Sequence, residues 1–113
     1  MESDVDDKKL IRILKALSDP NRFRMVQVVS LAGELSCGQL VDRFHLAQPT
    51  VSHHMKILTE ADVLSVRRDG QHGFISVNRP LLGQIGTLLP RRLSNRPARR
   101  LAVARNRERF SAV

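Results

Sequence analysis

After Ala61 the chain stops repeating its apolar residues at helical spacing and begins to alternate them, and that change of period limits the folds open to it. Leu64, Val66, then Phe74 or Ile75 through Val77, flank the turn dipeptide Asp69-Gly70, which predicts a β-hairpin over residues 63–68 and 72–78. Upstream, every apolar pattern is helical. The expected fold is therefore mainly α with a small β-hairpin (α+β), and the hairpin follows the helices directly.

The segment before the change, QPTVSHHMKILTEA (residues 48–61), carries Val51, Met55, Leu58 and Ala61 on one helical face and Ser52, His53, Lys56 and Glu60 on the other. The exposed face opens with amide, hydroxyl and imidazole groups near the helix N-terminus. A helix in the DNA major groove presents side chains to base edges from that end. Taken alone, the segment also fits an ordinary amphipathic surface helix.

Its context is more specific. A first helix is expected from Lys8, with Leu10, Ile11, Leu14 and Leu17 as its stripe. Ser18-Asp19-Pro20 ends it and starts a second, since Ser or Asp caps free N–H groups and Pro suits the first turn. That helix runs to about Leu31, with Phe23, Met25, Val26, Val28 and Val29 as candidates for burial, and Ala32-Gly33 closes it. Ser36 and Gln39 form a capping-box pattern for a third helix, residues 37–44. Only His45-Leu46-Ala47 separates it from Gln48-Pro49, so the third and fourth helices make a helix-turn-helix and the hairpin becomes its wing. Arg67 and Arg68, just before the tip, are expected to meet phosphates beside the groove.

Three divisions are expected: an acidic N-terminal extension (1–7), a winged helix-turn-helix for DNA binding and dimerisation (8–89), and an arginine-rich C-terminal tail (90–113). With 113 residues, four Phe, no Trp and no Tyr, the core should be single, modest and mostly aliphatic. No apolar run approaches the ~18 residues of a membrane span. No signal-peptide pattern opens the chain, so the expected location is cytoplasmic with no membrane partner. Catalysis has no nucleophile–base set, carboxylate pair or phosphate-cradling glycine loop to rest on, which argues against an enzyme.

The net charge of +8 is unevenly spread. Residues 91–113 hold eight Arg and one Glu, leaving a net of only +1 for residues 1–90. The tail could be a solvated charge run, or it could supply sequence-independent attraction to DNA. Cys37 likewise reads either as a small hydrophobe or as a redox-sensitive thiol at a helix N-terminus.

In order, LKALSDPNRFRMV (residues 14–26), GELSCGQLV (33–41), QPTVSHHMKILTEADVL (48–64) and RRDGQHGFISVN (67–78) resemble the ArsR family of bacterial winged-helix transcriptional repressors. That resemblance implies a homodimer on a palindromic operator, released by an effector whose identity the sequence leaves open. Mapped onto this chain, Gln48, Ser52 and His53 face bases, Thr50 and Lys56 touch bases or phosphates, and Arg67 and Arg68 serve the wing. The dimer interface would join Leu10, Ile11, Leu14 and Leu17 to Leu81, Leu82, Ile85, Leu88 and Leu89. A module that binds another protein through the same helix face is the alternative.

Two departures stand out. Ala47 replaces the Ser that usually opens the recognition helix, at a cost of ~1 kcal/mol in capping. Metal-sensing members carry Cys at the positions of Ser36 and Gly38, and a second family site uses Asp and His on the last helix, where LLGQIGTLLPRR (residues 81–92) has neither. His53 and His54 diverge as helix neighbours, and His54 is expected to be hydrogen-bonded within the domain. No metal and no cofactor is expected.

Overall fold

In this computed structural model the described residues are 5–94, so the tail arginines from Arg96 to Arg109 lie outside them. Five helices and three strands follow in the order α1 (Asp7–Leu17), α2 (Pro20–Ala32), β1 (Leu35–Ser36), α3 (Cys37–Asp42), α4 (Gln48–Glu60), β2 (Leu64–Asp69), β3 (His72–Val77) and α5 (Arg79–Ser94). By packing, the chain divides after Leu82, within α5. The first unit is a winged helix-turn-helix. In the second, residues 83–94 continue α5 through Pro90 to Ser94, whose hydroxyl donates to the Pro90 carbonyl at 2.6 Å.

Local chemistry sets most boundaries. Asp6 accepts the Lys9 N–H at 2.8 Å and caps α1, while Val5 is buried, so the end of the expected acidic extension belongs to the folded body. Asp19 accepts the Arg22 N–H at 3.0 Å and Pro20 opens α2. Gly33, at φ +84, closes α2 by donating its N–H to Val29, a backbone conformation in which an L side chain would be strained. The capping box of α3 is complete: Gln39 N–H to the Ser36 hydroxyl at 3.1 Å, and Ser36 N–H to the Gln39 amide oxygen at 2.9 Å. Helix α3 ends at Asp42, two residues before the expected Phe44.

The sheet is antiparallel with order β1-β3-β2. Its hairpin is the expected wing, paired from Leu64↔Val77 to Asp69↔His72. The two loop residues are Gly70 and Gln71, and Gly70 takes the first position at φ +65, where glycine is favoured. Strand β1 was not foreseen, because two residues are too few to display a period; it pairs Leu35↔Ile75 and Ser36↔Phe74.

The core is aliphatic: Ile13, Met25, Val29, Leu40, Val51, Leu58, Val63 and Ile75 are fully buried, and no polar side chain is buried among the described residues. On α1 the buried positions are Leu10, Ile13 and Ala16, so the inward face is rotated from the expected stripe. Ile11 and Leu14, two members of that stripe, remain 52% and 37% exposed. On α2, Met25, Val26 and Val29 are buried as expected, whereas Phe23 is exposed.

Helix α4 ends without a glycine. Asp62 takes φ +65, its N–H reaches Thr59 at 3.0 Å, and the Val63 N–H reaches Leu58 at 3.0 Å, the double closure of a Schellman motif. Asn78 then ties three elements together. Its side-chain amide donates to the Asp62 carbonyl at 2.9 Å, its backbone N–H to Val63 at 2.9 Å, and its side-chain oxygen accepts the Leu81 N–H at the start of α5.

Candidate nucleic-acid interface

Helix α4 is anchored by Val51 and Leu58, both fully buried, with Ala61 just beyond its end. This fixes its rotation, and Gln48, Thr50, Ser52, His53 and Lys56 are all exposed. The helix starts at Ala47 in extended backbone with no side-chain cap, as the alanine dictates, while Thr50 and Val51 donate to the Ala47 carbonyl.

The exposed face of α4 forms one wall of an open cleft of about 490 Å³. Gln48, Ser52 and Lys56 line that wall, Cys37 and Gly38 form the floor at the start of α3, and Val66, Arg68 and Gly73 form the opposite wall from the wing. Gly73 is the cross-strand partner of Arg68, and a methyl group there would stand 3.6 Å from the Cys37 sulfur and 3.9 Å from an Arg68 guanidinium nitrogen. One amide, the Ser52 and Thr59 hydroxyls and two cations thus line a groove open to solvent, with the Asp42 carboxylate of α3 beside them. Such a set suits base edges and phosphates.

The two wing arginines part company. Neighbours on a strand point to opposite faces, and Arg68 faces the cleft while Arg67 does not line it. Arg67 forks onto Glu34, with Nε to Oε2 at 3.2 Å and Nη2 to Oε1 at 2.9 Å, and its guanidinium lies 4.7 Å over the Phe74 ring. The Arg67 hydrogen bond holds the Glu34 carboxyl below the usual carboxylate range, and the same bond raises Arg67.

His54 is half-buried and its Nδ1 meets Arg22 Nη1 at 3.4 Å, the internal partnership expected of it. Arg22 itself was missed by the sequence reading. It donates through Nε to Ala16 at 2.7 Å and through Nη2 to Lys15 at 3.3 Å, closing the end of α1 while touching α4. The Ser36 hydroxyl is engaged in its capping box, and among the described residues no three of His, Cys, Asp and Glu gather as metal ligands. Of the residues expected at a dimer interface, Leu10, Leu81 and Ile85 are buried within the chain, Leu17, Leu82, Leu88 and Leu89 are half-buried, and Ile11 and Leu14 are exposed.

Comparison with known proteins bears on this arrangement. A family model described as a helix-turn-helix domain matches residues 17–67. The arsenical resistance operon repressor of Staphylococcus aureus is 38% identical over 78 residues, which is 69% of this chain and 74% of the relative. The chain belongs to the ArsR family of winged-helix transcriptional repressors. Members of the ArsR family are DNA-binding transcriptional regulators and not enzymes. The transcriptional repressor SdpR of Bacillus subtilis is 34% identical over 62% of this chain and 77% of its own length. Among solved structures, the ArsR-like transcriptional regulator from Rhodococcus sp. RHA1 superposes with a TM-score of 0.73 over 88% of this chain and 92% of that one at 18% identity, which speaks to the fold alone. The repressor PagR of Bacillus anthracis gives 0.61 at 28% identity over 72% and 93%.

Proposed function

We propose that this ArsR-family chain is a cytoplasmic repressor that binds a palindromic operator as a homodimer, reading bases through Gln48, Ser52 and His53 and holding the backbone through Thr50, Lys56 and Arg68. The observation that carries this reading is the shared cleft, in which Gln48, Ser52 and Lys56 of α4 and Arg68 of the wing flank one groove, while Thr50 and His53 are exposed on the same helix outside its lining. Exposed Ile11 and Leu14 on α1 support a second copy as partner, since apolar side chains left in water favour burial between chains. No helix among the described residues is long and apolar enough to cross a membrane.

Selection of bound sequences from random duplex DNA tests the reading. Recovery of an inverted repeat with half-sites one helical turn apart, about 34–36 Å, is the expected result. Recovery of no preferred sequence, or of a single asymmetric half-site, would overturn it.

A further inference from the structure

Arg67 and Glu34 form a contact that the DNA-reading role leaves unexplained. Glu34 precedes β1 on one edge of the sheet, Phe74 lies on the central strand β3, and Arg67 lies on the far strand β2. Register puts Ser36, Phe74 and Arg67 in one row, and Glu34, two residues before Ser36, lies on the same face one step along the diagonal toward the body. The Arg67 side chain therefore crosses the sheet, passing over the Phe74 ring at 4.7 Å to fork onto Glu34 at 2.9 and 3.2 Å. The row sits at a boundary: β1 pairs with β3 as far as Phe74, and beyond it Gly73 and His72 have only β2 beside them.

We propose that Arg67 serves DNA binding without touching DNA, and that Glu34 is a positioning residue for the wing. Resting on the proposed DNA-binding face, the pair braces the hairpin where strand pairing to the body ends and so holds Arg68 over the cleft. Bidentate guanidinium–carboxylate geometry is the form of exposed ion pair that contributes to order. The pair is also close to neutral as a unit, so it offers phosphates no net charge, whereas Arg68 faces the cleft beside Lys56.

The test uses the full chain with a fluorescent mixed-sequence duplex about three helical turns long, titrated across salt concentrations. Arg68→Gln is expected to lower the slope of log K against log salt by about one unit per chain. Arg67→Gln and Glu34→Gln are each expected to weaken binding about fivefold at fixed salt with the slope unchanged. The exchanged pair Glu34→Arg with Arg67→Glu is expected to recover the loss. A slope change for Arg67→Gln equal to that of Arg68→Gln, tighter binding by Glu34→Gln, or no effect of either variant overturns the brace. Amide hydrogen exchange across residues 69–73, measured without DNA, separates this from the functional reading. Faster exchange in Arg67→Gln and Glu34→Gln but not in Arg68→Gln supports the brace even if the duplex is not bound, and unchanged exchange overturns it.

Discussion

Ser52 and His53 are exposed on α4, and in the proposed role each would change which sequence is chosen more than how tightly DNA is held. Replacing either by Ala is expected to narrow the gap between the selected operator and mixed sequence by roughly 1–3 kcal/mol per lost base contact. Parallel titrations of the two duplexes read this directly, and equal loss on both would remove these residues from base reading. Asp19 carries a different expectation. The Arg22 N–H it accepts holds its carboxyl below its ordinary value, so its contribution to stability is present above the unfolded value and is lost as pH falls through the lowered folded one. Asp19→Asn keeps a cap that does not titrate, and acid unfolding curves should show a weaker pH dependence in that range. At this level sequence reading found the partners that lie close in the chain, such as Ser36 with Gln39 and Asp19 with the start of α2. It missed Arg22 with His54 and Arg67 with Glu34, which lie 32 and 33 residues apart. No local pattern encodes a contact of that span; only the fold brings the partners together.

Helix and strand boundaries were legible where a residue with one conformational role marked them, as Pro20, Gly33 and Gly70 do. They were less legible where an ordinary residue took an unusual role. Asp62 closes the recognition helix in the left-handed region with no glycine to announce it. Asp62→Val is expected to lower stability by about 1–2 kcal/mol, and Asp62→Gly to lower it far less, as thermal unfolding would measure. Ala47 is the converse. Its φ of −62° and ψ of 147° already suit a capping residue. Ala47→Ser should therefore raise stability by ~1 kcal/mol, and an unchanged melting temperature would mean that packing has replaced the cap. On α1, Leu10 and Leu17 border both the buried Ile13 and Ala16 and the exposed Ile11 and Leu14; apolar periodicity cannot say which flank meets its own chain.

For the protein as an assembly, the expected state is a homodimer at micromolar concentration. Ile11→Asp together with Leu14→Asp should shift sedimentation toward the monomer without unfolding the chain, since neither side chain is in the core. Although the Staphylococcus aureus relative is named for arsenical resistance, this chain has Ser36 and Gly38 at the two positions where its resemblance to metal-sensing members would imply Cys. Stoichiometric arsenite, Zn²⁺ or Cd²⁺ should leave a preformed DNA complex intact by gel shift, and its release would direct attention to Cys37 with the histidines. Ending the chain after Ser94 removes six of the tail arginines. If they meet phosphates, the salt slope falls by several units while sequence preference survives.

Asn78 gives the reading surface a thermodynamic character. By fastening the Schellman closure of α4, the base of the wing and the first turn of α5, it lets helix and hairpin meet DNA already assembled. In the proposed complex little conformational entropy would then have to be surrendered on association, and displaced counterions are expected to be the main drive. Asn78→Ala would loosen that joint, and calorimetry should find binding that carries a larger unfavourable entropy as the surface orders against the duplex.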